Sequence, residues 1–563
     1  MVDLGGLLEI AIVFAAVLAF APYFGEYLGR VYLNRPLLGD RLLTPVETAI
    51  YRLLGTSPRI SMRFREYVGA LLLTSAGLFV WIVLLLTLQS SLPLNPVGDP
   101  GMTWDLASHT AASFLTNTDF THFNPQSQLS YGAALFGLQA ALFLSPAMGM
   151  SVAAAFIRGF THKDGTLGNF YVDMVRTMTR VLLPLALVGA VVLVAFGVPQ
   201  TLAYDLTAHT LGGGSQTIYV GPVASWESIM MLGTNGGGWF SANAMSPFEN
   251  PNAASNLFQT GLMLLIPLGF PFAFAQIVRR PGEGFPFLAT SVVVLFVALG
   301  LVLFFQSGSN PALSSFGFAS GAFPGPGFET RFSGTEASLF QVVSVYSNTG
   351  ATSVQIGSLA PLSQAVLLFG MFTQSTPGGD GTGFGMLLVF AVIAVFVGGL
   401  MVGRTPEYLG KKVGTSQMRW AAGVLLLHPA LILVPLVVAT VGGFVAVAGG
   451  SIPTNAYAFT TVLYEFTSEA ANNGSAMGPI ADGTIFFNVV GAAIMLIGRF
   501  APMIGMLAIG SIFAHQDVLQ PGPGTLQTRG WTFAMFLTLL VIILSGLLFL
   551  PVLVLGPFAQ LGV

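Results

Sequence analysis

The sequence has no cysteine and few charges, and both absences limit what the chain can do. Without cysteine it forms no disulfides, thiolate metal sites or cysteine-ligated iron–sulfur clusters. Charged residues make up 8% of the 563 positions, against roughly 25% in soluble domains, and 54% are apolar. So few charges cannot solvate a soluble fold of this size, which predicts a polytopic membrane protein. The net charge of −3 argues against a nucleic-acid partner.

Motifs for nucleotide chemistry are also missing. The sequence has no Gly-x-x-x-x-Gly-Lys-Ser/Thr phosphate loop, no Asp-Lys-Thr-Gly phosphorylation motif and no polar stretch long enough for a nucleotide-binding domain. The chain is therefore not expected to bind nucleotide or to hydrolyse ATP by itself. No two histidines are spaced i, i+3 or i+4, so haem or metal ligation by histidine is not expected either.

Apolar segments long enough to cross a bilayer recur along the chain. A spanning helix needs roughly 17–25 mostly apolar residues. The ten predicted spans are 4–29, 67–89, 131–157, 173–198, 254–278, 286–306, 358–403, 418–447, 484–514 and 531–556. The first lacks a basic start, so it is interpreted as a retained span and not as a signal peptide. The seventh is too long for one helix, and its Gly- and Pro-rich residues 377–383 predict a break.

Basic residues lie on one side of this arrangement. Of the 20 Lys and Arg residues, all but Arg331 and Arg499 fall in or beside loops of the same side. By the positive-inside rule that side is cytoplasmic, and both termini are then extracytoplasmic. The outer segments carry many acids and a single basic residue, Arg331. This indicates either avoidance of basic residues in translocated loops or a negative vestibule that concentrates cations.

A polar turn rich in Asn, Gly, Ser and Thr recurs in four outer segments. The turns contain Asn117, Asn235, Asn348 and Asn472, and each follows a short predicted helix. These helices are predicted at 104–115, 223–232, 335–346 and 456–469. Self-similarity at nearly constant spacing indicates duplicated units. The predicted fold is an all-α polytopic membrane protein with ten transmembrane helices, in which four repeats of span, pore helix, filter loop and span surround one pore.

The repeats divide the chain as follows. A first transmembrane helix occupies 1–30, pore repeats occupy 67–157, 173–278, 286–403 with the broken helix, and 418–514, and a last transmembrane helix occupies 531–556. Backbone carbonyls bind a dehydrated cation without fixed charge, and Gly and Asn tolerate the conformations that aim carbonyls at one axis. A single such turn is more simply an ordinary loop. Four turns, each between spans and after a short helix, indicate a cation pore.

Four segments resemble the KdpA family, the potassium-binding, channel-like subunits of the bacterial Kdp pump. They are Gly233–Gly238, Tyr346–Ser353, Met401–Lys412 and Glu469–Ala476, and the resemblance covers essentially the whole chain. It implies a fold of the superfamily of potassium transporters, and a subunit that binds and translocates K⁺ in an ATP-driven, high-affinity uptake pump of the bacterial inner membrane. The implied partners are a P-type ATPase catalytic subunit, a small single-span subunit, a third accessory subunit and membrane lipids. The chain itself is expected to be non-hydrolytic.

The same resemblance implies that the four turns form a K⁺ selectivity filter. The implied filter residues are Thr116, Asn117, Thr118, Thr234, Asn235, Gly236, Ser347, Asn348, Thr349, Gly350, Asn472, Asn473 and Gly474. The first turn departs from the family pattern, because Asp119 and Thr121 stand where Asn and Gln are expected. A carboxylate at Asp119 is expected to strengthen the attraction for cations and to weaken discrimination between them.

Two charged residues lie within predicted membrane segments. Arg499 either snorkels to the cytoplasmic interface or supplies a positive charge below the filter that stops straight-through flow, and the resemblance favours the second reading. Asp380 is its candidate counter-ion. Together with Gly378 and Gly379, Asp380 forms either an intramembrane gate loop or a plain cytoplasmic loop between two full spans.

Two other functions remain open from the sequence. A stand-alone potassium transporter or channel with four similar repeats would carry K⁺ when expressed alone, whereas a pump subunit needs its partners. A membrane redox or lipid enzyme subunit would need paired intramembrane histidines or a buried acid–base cluster, and neither is found in the sequence pattern.

Overall fold

The computed structural model describes residues 4–37, 39–95, 98–308, 327–444, 456–478, 480–519 and 526–561. In chain order its longer helices are α1 (Leu4–Tyr32), α2 (Asp40–Leu53), α3 (Phe64–Thr87), α4 (Trp104–Leu115), α5 (Tyr131–Gly159), α6 (Phe170–Ala195), α7 (Val223–Leu232), α8 (Ala253–Ile277), α9 (Phe285–Gln306), α10 (Gly334–Tyr346), α11 (Pro361–Thr373), α12 (Thr382–Met401), α13 (Thr415–Val441), α14 (Ala456–Ala471), α15 (Ile485–Ala514) and α16 (Trp531–Leu561). Single helical turns lie at Gln89–Ser91, Pro125–Gln128, Asn243–Met245 and Ile356–Ser358.

Within these described ranges, ten helices are long and apolar enough to cross a membrane. They are α1, α3, α5, α6, α8, α9, α12, α13, α15 and α16. The prediction of an all-α membrane protein with ten spans is thus confirmed, and the chain is a multi-pass membrane protein. Residues 1–3 of the first predicted unit and 445–447 of the eighth predicted span lie outside the described residues.

Four shorter helices stand between consecutive spans, at the positions predicted for them. They are α4, α7, α10 and α14. The start of α10 shows why such a helix begins where it does: the Ser333 hydroxyl accepts from the backbone N–H of Glu336, and the Glu336 carboxylate accepts from that of Ser333. This reciprocal pair satisfies two N–H groups that have no partner inside the helix. Each of the four helices ends directly at one of the polar turns.

The seventh apolar segment is broken, as its composition predicts. The half-helix α11 has 13 residues, too few to cross a bilayer, and residues 374–381 are non-helical before α12 begins. This break is buried along its whole length. A cytoplasmic loop between two full spans, the alternative interpretation of the sequence, does not describe this arrangement.

Three antiparallel two-stranded sheets complete the described structure. β1 (Met62–Arg63) pairs with β2 (Thr166–Gly168), β3 (Asp205–His209) with β4 (Ser215–Tyr219), and β5 (Glu407–Tyr408) with β6 (Lys411–Lys412). The first and third sheets lie in the basic loops, whereas the β3–β4 hairpin is an exposed feature of the segment before α7.

The core lies around α5 and α12, whose residues are mostly buried, while the apolar faces of α1, α3 and α16 point outwards. Close packing of helices depends on small residues. A β-carbon at Gly25 of α1 would overlap the backbone carbonyl of Gly269 in α8. On the basic side, the Arg158 guanidinium binds both carboxylate oxygens of Asp173 at 2.6 and 2.7 Å, which joins α5 to α6.

Candidate functional site

The four polar turns meet at one place, although they are more than one hundred residues apart in sequence. Each has a residue at positive φ within two positions of the end of its short helix: Asn117 (62°), Thr234 (44°), Asn348 (52°) and Asn472 (52°). Each has a second residue at positive φ two positions later: Asp119 (54°), Gly236 (113°), Gly350 (81°) and Gly474 (95°). Residues alternating between left-handed and ordinary conformations turn successive carbonyls towards the same side.

The carbonyl oxygens between these positions converge. They belong to Thr118, Asn235, Thr349 and Asn473. A β-carbon added at Gly236 would overlap the Thr349 oxygen, one at Gly350 the Asn473 oxygen, and one at Gly474 the Thr118 oxygen. The added β-carbon at Gly236 would lie 3.1 Å from the Asn473 carbonyl oxygen, and the one at Gly474 would lie 3.8 Å from the Asn235 carbonyl oxygen. Four uncharged oxygens, one from each turn, thus lie around a common axis, and the glycines leave the room for this approach.

The four converging carbonyl oxygens and their turns form a ring, and hydrogen bonds between the turns hold this ring together. The Asn117 amide donates to the Thr234 carbonyl at 2.7 Å, and the Asn472 amide donates to the Thr118 hydroxyl at 2.9 Å. The Asn348 amide donates at 3.2 Å to the carbonyl of Ala471, at the end of the next short helix. The shared role of these three amides is mechanical, because each fixes the position of a neighbouring turn.

Hydroxyl groups brace the first and third turns in the same way. Thr116 and Thr118 are linked hydroxyl to hydroxyl at 2.8 Å, and Ser347 and Thr349 at 2.7 Å. All four side chains are buried. Since a hydroxyl both donates and accepts, this pairing stiffens the turn while it leaves the backbone carbonyls free of hydrogen atoms.

Each short helix also supports the turn that follows it, a feature that the sequence reasoning missed. Ser113 donates to the Phe120 carbonyl at 2.8 Å, and Ser344 donates to the Ala351 carbonyl at 2.6 Å. In the second turn the Trp226 indole donates to the Gly237 carbonyl at 2.7 Å. The sequence does carry a signal for this support: Ser113 and Ser344 each stand four residues before the first left-handed residue of the turn.

The structure also shifts the expected alignment of the second turn by one residue. The sequence comparison matched Asn235 with the other three asparagines. In the structure Thr234 takes the left-handed position of Asn117, Asn348 and Asn472, and Asn235 supplies the converging carbonyl. The Asn235 amide instead donates to the Leu142 carbonyl of α5 at 3.1 Å.

Asp119 stands where the other three turns have glycine. Its side chain is 2% exposed, and neither carboxylate oxygen has a hydrogen-bond partner among the described residues. The carboxyl group therefore lies buried beside the converging carbonyls without a direct hydrogen-bonding contact in the described structure. This geometry is compatible with the expected attraction for cations.

The break in the seventh segment lies directly against the ring. The backbone N–H of Asp380 donates to the Thr234 hydroxyl at 3.0 Å, and that of Gly378 donates to the Tyr346 carbonyl at 2.9 Å. Gly379 is packed beside Thr234 and Asn348. The predicted gate residues Gly378, Gly379 and Asp380 are thus brought to the predicted filter.

A small cavity separates the ring from Arg499. Its volume is about 30 Å³, room for a few water molecules at most, and its walls include Asn117, Asn348, Asn472 and Gly379. Arg499 is 6% exposed and lines the cavity, so it does not snorkel to an interface. It donates to the Thr382 hydroxyl at 2.9 Å.

Asp380 and Arg499 are neighbours without being a direct ion pair. In the described part of the chain, Arg499 bonds to Thr382 and to the Ser145 carbonyl, and both carboxylate oxygens of Asp380 lack a hydrogen-bond partner. Gly149 of α5 lies between them: a β-carbon there would be 2.7 Å from the Asp380 carbonyl and 2.9 Å from the Arg499 guanidinium.

Two buried glutamates lie near the second turn. Glu249, in the loop after this turn, accepts from the backbone N–H of Phe240 at 2.6 Å, and Glu227 of α7 is buried nearby. Burial raises the pKa of the Glu249 carboxyl to about 8, although backbone hydrogen bonds from Phe240 and Trp239 oppose the shift.

One expectation from the sequence is wrong. The spacing of the histidines argued against a histidine pair and a buried acid–base cluster, but His109 and His122 stack at 3.8 Å between ring centroids, beside Glu465 and Glu469. These residues come from separate elements, so a search for pairs on one helix cannot find them.

The comparisons with known proteins agree with this geometry. The family model described as "KdpA: Potassium-transporting ATPase A subunit" matches residues 11–561. A protein of Gloeobacter violaceus named "Potassium-transporting ATPase potassium-binding subunit" is 38% identical over 99% of this chain and 98% of its own length. A protein of the same name from Geobacillus kaustophilus is 39% identical over 98% of both chains.

A solved structure shares the fold. The potassium transporter TrkH from Vibrio parahaemolyticus superposes with a TM-score of 0.52 at 17% identity, covering 87% of this chain and 97% of TrkH. That likeness concerns the architecture of the spans and short helices alone. On the match over nearly its full length and on its identity to these relatives, the chain belongs to the KdpA family.

Proposed function

We propose that the four turns form a K⁺ selectivity filter and that the chain is the K⁺-binding and K⁺-translocating subunit of an ATP-driven, high-affinity potassium uptake pump. The observation that carries the proposal is the convergence of four uncharged carbonyls, from Thr118, Asn235, Thr349 and Asn473, on one axis. Carbonyl oxygens replace the hydration shell of an alkali cation, and several neutral ligands bind it weakly enough for release.

The proposed filter comprises thirteen residues. They are Thr116, Asn117, Thr118, Thr234, Asn235, Gly236, Ser347, Asn348, Thr349, Gly350, Asn472, Asn473 and Gly474. Within this set the roles differ: the middle residue of each turn supplies the converging carbonyl, the left-handed residues aim it, and the amides and hydroxyls keep the turns at a fixed distance. K⁺ is the transported ion, and the chain binds no nucleotide.

Below the filter, the proposed gate combines a loop and a fixed positive charge. The loop of Gly378, Gly379 and Asp380 flanks the cavity on the side of the break, where Gly379 lines it, and Arg499 repels a cation that leaves the filter along the axis. Since the guanidinium is buried and lines the cavity, its charge is weakly screened there. A cation must then leave sideways or wait for the loop to move.

In this proposal the energy for K⁺ transport comes from partner subunits. The relatives' names, which describe a potassium-binding subunit of a potassium-transporting ATPase, support assembly with an ATPase. We propose a P-type catalytic subunit, a small single-span subunit and a third accessory subunit, in the bacterial inner membrane with both termini extracytoplasmic. This chain is the non-hydrolytic member.

Co-purification followed by an ATPase assay tests the proposal. The complex isolated with this chain should hydrolyse ATP faster when K⁺ is added. Gly474→Asp should raise the K⁺ concentration needed for half-stimulation at least tenfold or admit Na⁺, because the new side chain overlaps the Thr118 carbonyl. Gly212→Asp is the matched control, since its β-carbon would meet nothing within 4 Å. K⁺ flux in vesicles that contain this chain alone would instead identify a stand-alone transporter.

A further inference from the structure

Behind the first and fourth turns, two histidines and two glutamates face one another, and the proposed ion path uses none of them. His109 lies on α4 and His122 in the loop after the first turn, while Glu465 and Glu469 lie one helical turn apart on α14. The Nε2 atom of His109 is 3.6 Å from Glu469, and that of His122 is 3.4 Å from Glu465. The four side chains thus form two facing pairs in one pocket.

Most polar side-chain atoms that these four residues turn towards one another lack hydrogen bonds. The side chains of His109 and Glu469 are fully buried. Within the described residues, both ring nitrogens of His109, both carboxylate oxygens of Glu469, Nε2 of His122 and Oε1 of Glu465 have no hydrogen-bond partner. Separations of 3.4 and 3.6 Å are too long for hydrogen bonds between the facing groups. Buried polar atoms are rarely left in this state, so the pocket lacks a component that would satisfy them together.

The second nitrogen of His122 is already oriented as in a metal ligand. Asn488 donates its amide to the Asp105 carboxylate at 2.8 Å, which directs the amide oxygen towards Nδ1 of His122, 2.7 Å away. His122 therefore donates from Nδ1, so in the neutral ring, the form that binds a metal, Nε2 presents its lone pair to the facing carboxylates. Metal-binding histidines characteristically donate the remaining N–H to such a partner.

We propose that His109, His122 and Glu469, whose ligand atoms lie within 4.8 Å of one another, form a binding site for a divalent transition metal of the zinc class, with Glu465, which faces His122, as the candidate fourth ligand. Imidazole nitrogens and carboxylate oxygens are the ligands that such ions take, whereas Mg²⁺ and Ca²⁺ select oxygen alone. Metal–ligand bonds of about 2.1 Å in a tetrahedron place neighbouring ligand atoms about 3.4 Å apart, close to the separations of the two facing pairs. Completing the tetrahedron requires the His109 ring, which no hydrogen bond holds in the described structure, to turn out of its stack with His122.

An access path and a consequence follow from the surroundings. Asp482, a partly exposed residue of the loop after the fourth turn, has a carboxylate oxygen within 4.8 Å of the ligand atoms of His122 and Glu465. It is the most exposed carboxylate beside the site, and it lies on the side from which an ion would enter in this proposal. A bound metal would tie α4 to α14 next to two of the four turns, since His122 follows Asp119 closely and Glu469 precedes Asn472 by one helical turn.

Metal binding to the purified full-length chain tests the site directly. After chelator treatment and removal of any affinity tag, calorimetric titration with ZnCl₂ and elemental analysis should give one Zn²⁺ per chain, and MgCl₂ should give no binding. His109→Gln and Glu469→Gln should each weaken Zn²⁺ binding at least tenfold. His209→Gln, in the exposed β3–β4 hairpin, should bind as the unaltered chain does. Equal affinity in all these proteins, or no stoichiometric binding, would overturn the proposal.

A measurement on the unaltered chain removes any dependence on the folding of the variants. X-ray absorption at the zinc edge should show a four-coordinate shell of nitrogen and oxygen at about 2.0–2.1 Å with the outer-shell scattering of two imidazoles. Thiolate sulfur cannot contribute because the chain has no cysteine, and a methionine thioether would show as a longer bond. A shell of oxygen alone, or one with a single imidazole, would exclude the proposed ligand set.

Discussion

The backbone N–H of Asp380 is hydrogen-bonded to the hydroxyl of Thr234 at 3.0 Å, so the break in the seventh segment is attached to the second turn. Both residues are fully buried. One side chain of the ring thereby positions a loop that belongs to a different repeat. Any movement of the loop must break this bond, which makes Thr234 a point at which filter and gate are mechanically connected.

Replacement of Thr234 tests this connection. Thr234→Val keeps the shape of the side chain but leaves the buried N–H of Asp380 unpaired, at a cost of about 1–3 kcal/mol. We expect faster hydrogen exchange in residues 376–383 and a lower melting temperature. Thr234→Ser, which retains the hydroxyl, is the control. Unchanged exchange in the valine variant would show that the bond does not restrain the loop.

The first turn has Asp119 at the position that glycine occupies in the other three turns, so here a glycine can be introduced. Asp119→Gly removes a left-handed non-glycine residue, which costs on the order of 1 kcal/mol, together with a buried carboxylate that has no hydrogen-bond partner in the described structure. The variant should be more stable and should discriminate K⁺ from Na⁺ better, at some loss of cation affinity. Asp119→Asn separates the two effects, since it keeps the backbone strain and loses the charge. Lower stability of the glycine variant would contradict this account of the turn.

Much of this site was predictable, and the exceptions have a physical cause. The spans, the four short helices and the turns follow from local composition, since apolar length and Gly or Asn content act within one segment. The one-residue shift at Thr234 does not, because the left-handed position is selected by contacts among the four turns. The approach of His109 to Glu469 is likewise tertiary: 360 residues separate them, and the packing of both α4 and α14 against α15 brings them together.

The orientation of the chain is open to a labelling experiment. The absence of cysteine means that a single introduced thiol is unambiguous. Ser57→Cys, in the basic loop after α2, should resist a membrane-impermeant maleimide in intact cells and react after permeabilisation. Leu211→Cys, at the exposed tip of the β3–β4 hairpin, should react in intact cells. The reverse pattern would overturn the proposed topology.

The buried Glu249 predicts a pH dependence of stability. Its folded-state pKa of about 8 lies above the ordinary value of 4.5 because the carboxyl is buried. Between these two values the folded chain holds a proton that the unfolded chain has lost, so the free energy of unfolding should fall as pH rises from about 5 to 8.

Glu249→Gln keeps the oxygen that accepts from Phe240 and removes the titration. It should make the pH dependence shallower, measured by thermal unfolding in detergent at pH 5, 6.5 and 8. Asp205→Asn, on the exposed hairpin, should leave the dependence as it is. If the glutamine variant lost stability with pH as steeply as the unaltered chain, a different group would be responsible.

Arg499 is the residue for which structure and transport are most directly coupled. Its guanidinium lines the cavity under the ring and donates to Thr382 and to the Ser145 carbonyl. Arg499→Gln preserves part of this bonding but removes the positive charge, so a cation that passes the filter meets a lower barrier along the axis. We expect a passive K⁺ leak or reduced ATP-driven uptake, and a milder effect for Arg499→Lys, which keeps the charge.

The measurement is K⁺ flux into vesicles that contain the assembled complex, with and without ATP. Leak in the absence of ATP isolates the barrier, because loss of pumping alone also follows from misassembly. Arg52→Gln, an exposed position on α2, controls for the loss of one positive charge far from the cavity. Wild-type uptake together with no added leak in Arg499→Gln would refute the barrier role, since the buried charge would then be dispensable at the position where its field is least screened.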